Sequence, residues 1–193
     1  MEVKLNDLKI GVYGKDGVGK TAMIFQFINK WVYEEYDPTI DDFYKQQMNI
    51  NNKNYLLDIH DTVEQDEYTA IREISIKQEE GFMIVYSIDS RESFDSISLF
   101  REVICKVQNS EKFPLVIVGN KSDLESQRKV SFQELSDLAG IFSVPFFEVS
   151  AKNKQNLNEA FFKLVEEVEK SRAQSQDSQS KKDGRKKGIC LMM

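Results

Sequence analysis

The chain has 193 residues, of which 40% are apolar and 11% aromatic, enough for one domain with a sizeable core and too much for full-length disorder. A net charge of −6, with an isoelectric point near 5.0, argues against nucleic-acid binding. The apolar runs at 82–86 and 115–118 are too short to cross a membrane, the charges among residues 1–7 leave no secretory signal, and the two cysteines, Cys105 and Cys190, make no disulfide framework, which points to a reducing intracellular setting.

In chain order, Leu8 to Tyr13 reads as a short apolar strand running into a glycine-rich loop, and Thr21 to Asn29 follows with helical character. Asp42 to Ile50 and Asn54 to Asp61 read as two strands joined at Asn51-Asn52, a hairpin signal. Phe82 to Ile88 and Leu115 to Gly119 are continuous apolar runs of the kind that form strands buried on both faces, and Phe146 to Val149 is a shorter sixth candidate. Helical patterns lie near 92–109, 131–141 and 155–170, with Ser131 and Glu134 spaced for a capping box. Cys105 reads as a small buried hydrophobe, and Glu79-Glu80 as a solvated approach to the next strand. Strand–helix alternation predicts a three-layer α/β sandwich, with a six-stranded, mostly parallel sheet and one antiparallel edge strand from the hairpin. Ligands in such sheets bind beyond the carboxyl ends of the strands.

Gly14-Lys15-Asp16-Gly17-Val18-Gly19-Lys20-Thr21 matches G-x-x-x-x-G-K-[ST], after a strand and opening a helix, which predicts a P-loop NTPase. The glycines let backbone N–H groups converge on an anion at a helix N-terminus. Lys20 can reach the outer phosphates, and the Thr21 hydroxyl can ligate Mg²⁺. Asn120-Lys121-Ser122-Asp123 ends another strand; a carboxylate there accepts from the N1–H and 2-amino group of guanine, donors that adenine lacks. Ser150-Ala151-Lys152, after the last strand, places a further N–H near the base carbonyl. A metabolic P-loop kinase or ATPase is disfavoured by Asp123.

Together these motifs resemble those of a Ras-family small GTPase, over about residues 8–170 and again at the extreme C-terminus. The resemblance implies GTP/GDP and Mg²⁺ as ligands and the hydrolysis of GTP. Tyr36-Asp37-Pro38-Thr39-Ile40-Asp41-Asp42, continuing into Phe43 and Tyr44, resembles the first switch and effector loop, with Thr39 as a second hydroxyl for Mg²⁺. Asp61-Thr62-Val63-Glu64-Gln65 stands in the place of D-T-A-G-Q, with Asp61 on Mg²⁺ and Gln65 orienting the attacking water. Several residues depart from the family pattern. Asp16 and Glu64 replace glycines, Val63 an alanine, Val32 an aromatic beside the guanine, and Ser75 a tyrosine. Trp31 is either core or a neighbour of the nucleotide. His60, the lone histidine, precedes Asp61 on a strand and is not expected to be catalytic.

Residues 171–193 carry six basic and two acidic residues and no large apolar side chain before Ile189, so 171–189 is expected to be disordered. Cys190-Leu191-Met192-Met193 has the C-a-a-X form of a farnesylation signal. One lipid gives marginal binding, and Lys181, Lys182, Arg185, Lys186 and Lys187 supply the second, electrostatic signal for an anionic membrane. The expectation is a switch on the cytoplasmic face of the plasma membrane, with basic effector surfaces, exchange factors and GTPase-activating proteins as partners. The alternative is a GTP-binding scaffold with negligible hydrolysis.

Overall fold

The computed structural model describes residues 5–28, 42–62 and 70–189, and side chains over 5–28, 43–62 and 73–176. The elements are β1 (Asn6–Tyr13), α1 (Lys20–Phe27), β2 (Asp42–Ile50), β3 (Lys53–Asp61), α2 (Ala70–Gln78), β4 (Gly81–Ser87), α3 (Arg91–Asp95), α4 (Ile97–Gln108), β5 (Leu115–Asn120), a 3-10 helix (Ser122–Gln127), α5 (Phe132–Phe142), β6 (Phe146–Glu148) and α6 (Leu157–Ile189). The strands form one sheet in the order β2-β3-β1-β4-β5-β6, parallel throughout except for β2 at the edge. The hairpin turns at Asn51 and Asn52, at φ 51 and 62, the left-handed pair that a two-residue turn needs to match strand twist.

From β1 the chain adds β2 and β3 on one side, then crosses to build β4, β5 and β6 on the other. The phosphate-loop motif therefore leaves β1 at the point where the sheet changes direction, which opens a crevice for a ligand. Every residue of β4 and β5 is buried, as their continuous apolar runs predict. One face packs α1 and α6 through Met23, Ile24, Leu164 and Val165, with Phe27 and Phe161 stacked at 3.9 Å. The other packs α2, α4 and α5 through Ile76, Phe100, Ile104 and Leu135.

Several elements depart from the sequence reading. The helix expected over 92–109 is two, α3 and α4, meeting at Ser96. The helix α2 carries no strong apolar period and went unpredicted. Cys105 is half-buried rather than core. The segment expected to be disordered from residue 171 continues α6 to Ile189, because a helix already anchored needs no new nucleus to propagate. That anchor is visible at Arg172, whose guanidinium pairs with Glu80 at 2.7 Å and donates to the Asp7 carbonyl at 2.9 Å. The capping box of α5 forms as predicted, with Ser131 accepting from the Glu134 N–H and Glu134 accepting from the Ser131 N–H.

Candidate functional site

The phosphate loop is shaped by three glycines at positive φ: Gly14 (147), Gly17 (77) and Gly19 (93). Two of them are also packed tightly. A Cβ on Gly14 would lie 2.1 Å from the Val85 carbonyl, and one on Gly19 would lie 2.5 Å from the Asn120 amide nitrogen. The loop ends on Gly19, and α1 begins with neither a side-chain cap nor an acidic residue in its first turn, so its N–H groups keep their pull for an anion.

Lys20 opens α1 and is buried, its ammonium donating to the Gly14 and Lys15 carbonyls at 2.8 and 3.2 Å and lying 3.8 Å from an Asp16 carboxylate oxygen. The next residue, Thr21, donates its hydroxyl to Asp61 at 2.5 Å. Asp61 is fully buried at the end of β3, which Thr62 pins to β1 through N–H and hydroxyl bonds to the Val12 carbonyl. Lys15 forms an ion pair with Glu92 of α3, which draws the Glu92 carboxyl below its usual range.

At the ends of β5 and β6 a second cluster forms. Asn120 donates to the Val18 carbonyl at 2.9 Å and accepts from the Ala151 N–H at 3.2 Å. Asp123 accepts the Ser150 hydroxyl at 2.5 Å. Lys121 takes a left-handed φ of 64 to turn the chain, and Ser122 N–H bonds the Val149 carbonyl. Arg128 bridges Glu125 and Glu148 with contacts at 2.6 Å, tying the loop after Asp123 to β6. Lys152, beside Ala151, is exposed.

The residues of both motifs thus converge at the carboxyl ends of β1, β3, β5 and β6, from positions far apart in the chain. The matching profile is that of the Ras family, over residues 9–170. The chain belongs to the Ras family. Relatives in Dictyostelium discoideum include Ras-like protein rasB, 45% identical over 97% of this chain and 98% of that protein. Ras-like protein rasW is 46% identical over 92% of this chain and 84% of its own length, and Ras-like protein rasC is 46% identical over 84% and 87%. GTP binding in signalling and GTPase chemistry are the common ground of the Ras family.

Other expected site residues of this Ras-family chain fall outside the described residues: Tyr36 to Asp41 with Thr39, Val63, Glu64 and Gln65, the segment with Trp31 and Val32, and Cys190. Asp42 is placed only as the first residue of β2. Phe43 is 58% exposed and stacks on His60, and Tyr44 meets Phe25 edge-on at 5.2 Å.

One cluster overturns the sequence reading. Glu79 is not a solvated approach to a strand; it is 6% exposed, accepts the Tyr13 hydroxyl at 2.5 Å and pairs with His60 Nδ1 at 2.7 Å. Glu80 beside it bridges to Arg172. The available signal was Gly11 inside an apolar strand, a place where a neighbouring side chain lies over the backbone.

Proposed function

We propose that this Ras-family chain is a membrane-anchored switch that holds GTP or GDP with Mg²⁺, hydrolyses GTP slowly and alters its effector surface with the nucleotide. The observation that carries this reading is the convergence of Lys20, Thr21 and Asp61 on one side of the crevice with Asn120, Asp123 and Ser150 on the other.

The Thr21 hydroxyl and the buried Asp61 carboxylate form an all-oxygen pair of the hardness Mg²⁺ prefers, so the residues fit that ion, with Thr39 as the further hydroxyl. When bound, the ion neutralises charge on the outer phosphate oxygens. Lys20 turns its ammonium from the loop carbonyls to the phosphates, and the N–H groups of Gly14 to Thr21 wrap the anion. Asp123 takes the two donors of guanine, with its second partner, Ser150, holding the carboxylate in place. Gln65 orients the attacking water. Asp16 slows this step, Glu64 weakens the closure of the second switch, and the acidic Asp37, Asp41 and Asp42 face basic effector surfaces.

Anchoring is supported by Cys190-Leu191-Met192-Met193 and the basic residues 181–187, which together supply a lipid and an electrostatic signal for the cytoplasmic face of the plasma membrane. Exchange factors and GTPase-activating proteins complete the cycle. The test is competition of GTP, GDP and ATP for the purified chain, followed by single-turnover hydrolysis with and without an activating protein. Equal affinity for ATP and GTP would remove the basis of the reading.

A further inference from the structure

Glu79 sits in the turn between α2 and β4, and its side chain is buried against β1 and β3. Its N–H bonds the Ser75 carbonyl at 3.1 Å, and its carbonyl accepts from Gln108 of α4 at 3.3 Å, so its backbone is held from two sides. The two carboxylate oxygens go to different strands. One takes the hydroxyl of Tyr13, the residue immediately before Gly14 and the phosphate loop. The other meets Nδ1 of His60, the residue immediately before Asp61.

The space for this carboxylate comes from Gly11. In the β1–β3 register Gly11 stands opposite His60, and a Cβ on it would lie 2.3 Å from Glu79 Oε2 and 2.4 Å from the Tyr13 ring. On the neighbouring strand Phe43 stacks on the His60 ring at 4.5 Å and 8°. His60 is therefore clamped between an aromatic face and a carboxylate.

We propose that Glu79 is a positioning residue for the nucleotide site, tying Tyr13 to His60 and thereby fixing the exit of β3, with Asp61, relative to the exit of β1, with the phosphate loop. The inference rests on the guanine-nucleotide and Mg²⁺ reading above. Stability does not account for the cluster. Replacing a buried ionic pair by apolar residues of similar volume is often neutral or stabilising, and a glycine inside a strand weakens it. What the polar cluster adds is direction, because hydrogen bonds hold two side chains in one mutual geometry where apolar contacts tolerate sliding. Thr62 already pins β3 to β1 at the Val12 carbonyl, so removing Glu79 loosens the exit rather than freeing it.

The experiment uses the full chain loaded with fluorescent GDP, measuring the release rate as free Mg²⁺ is varied, with melting temperatures alongside. Groups bonded directly to a metal ligand commonly alter metal affinity by about 10-fold or more; Glu79 instead holds His60, the neighbour of Asp61, so Glu79→Ala is expected to raise by severalfold, up to about 10-fold, the Mg²⁺ concentration that half-maximally slows release. Tyr13→Phe, which keeps the ring against Phe82, is expected to shift it the same way by less. Glu79→Gln is expected to stay within about twofold of the parent, since an amide can accept from His60 and donate to the Tyr13 oxygen. Unchanged Mg²⁺ midpoints in Glu79→Ala and Tyr13→Phe, with only lower melting temperatures, would overturn the role of Glu79. If Glu79→Ala does not fold, Tyr13→Phe against Glu79→Gln decides in the same way. A parent that holds no guanine nucleotide would instead overturn the functional reading itself.

Discussion

Asn120 and Val18 are 102 residues apart in sequence and joined by a 2.9 Å hydrogen bond from the Asn120 amide to the Val18 carbonyl. The same side chain accepts from the Ala151 N–H, so one buried amide holds the phosphate loop, β5 and the loop after β6 together. Asn120→Ala leaves the Val18 carbonyl and the Ala151 N–H without this partner. Each such loss costs about 1–3 kcal/mol, so thermal unfolding is expected several degrees lower and GDP release faster. An unchanged release rate would show that the loops keep their relation without Asn120.

Asp123 predicts base selectivity. Asp123→Asn replaces an acceptor by a side chain that also donates, which mismatches the 2-amino group of guanine and matches the 2-oxo group of xanthine. Sites that leave a buried polar group unpaired discriminate by about 10⁴-fold, so the variant is expected to lose most of its GTP affinity while gaining affinity for xanthosine triphosphate. Competition binding against a fluorescent guanine nucleotide measures both.

The parts of this architecture that were legible in the sequence are those where local pattern and burial agree. The apolar runs 82–88 and 115–119 form strands, at 81–87 and 115–120, because both of their faces are covered, and Asn51-Asn52 turns because asparagine tolerates left-handed φ. The phosphate loop is readable because three glycines fall where positive φ is required. Glu79 was not legible, since two adjacent acids give no sign that one will turn inward, and its partners Tyr13 and His60 lie 66 and 19 residues away. The helix α2 escaped because its apolar face is short and packing rather than propensity holds it, with Ile76 in the core. The continuation of α6 past Arg172 escaped because composition measures the capacity to bury surface, while a helix extends from its anchored end by backbone bonds.

A pH dependence follows from the capping box of α5. The Ser131 N–H, then the Ser131 hydroxyl and the Arg91 guanidinium, hold the Glu134 carboxyl down at about 2, below its usual 4.5. A carboxylate whose pKa is lower in the folded state stabilises the fold above its unfolded pKa, and that contribution is lost as pH falls through the folded value. The contribution of Glu134 is therefore complete above about pH 4.5 and disappears between there and about pH 2. Glu134→Gln is expected to lower stability at neutral pH and to flatten the stability–pH curve across that window. Denaturant melts from pH 2 to 6 measure it; a parallel displacement of the two curves would assign the effect to packing instead.

Membrane association is expected to depend on Cys190 and the basic segment in separable ways. Cys190→Ser removes the proposed lipidation site and is expected to move the protein to the soluble fraction, since basic residues alone leave reversible binding. Neutralising Lys181, Lys182, Arg185, Lys186 and Lys187 keeps the proposed lipidation site and is expected to remove about 1 kcal/mol per residue of attraction to an anionic leaflet, an attraction that salt screens. The parent is expected to leave anionic vesicles as salt rises, and the neutralised variant to bind weakly at every salt concentration. Fractionation unchanged in Cys190→Ser would refute the anchor.

The last prediction concerns turnover. Asp16 stands on the rim of the phosphate loop with its side chain 61% exposed and a carboxylate oxygen 3.8 Å from the ammonium of Lys20, the residue proposed to reach the phosphates. An activating arginine must enter the same space to reach the transferring phosphate, and such an arginine is worth about 10³–10⁵ in rate. A carboxylate there can pair with the incoming guanidinium and hold it short of the phosphate, or block it by bulk; either way the acceleration is expected to be lost while nucleotide binding persists. Glu64 stands where the Ras-family pattern has a glycine, and its side chain is expected to weaken closure of the second switch rather than the chemical step. The two substitutions therefore act on different quantities. Asp16→Gly is expected to restore stimulation by a GTPase-activating protein with little effect on effector affinity, and Glu64→Gly to raise affinity for a basic effector domain in the GTP form with little effect on stimulation. The double variant is expected to gain both. Single-turnover hydrolysis with and without the activating protein, beside effector binding by the GTP-loaded forms, separates the two effects. A parent already accelerated by several orders of magnitude, or an Asp16→Gly variant no more responsive than the parent, would refute the expected effect of Asp16.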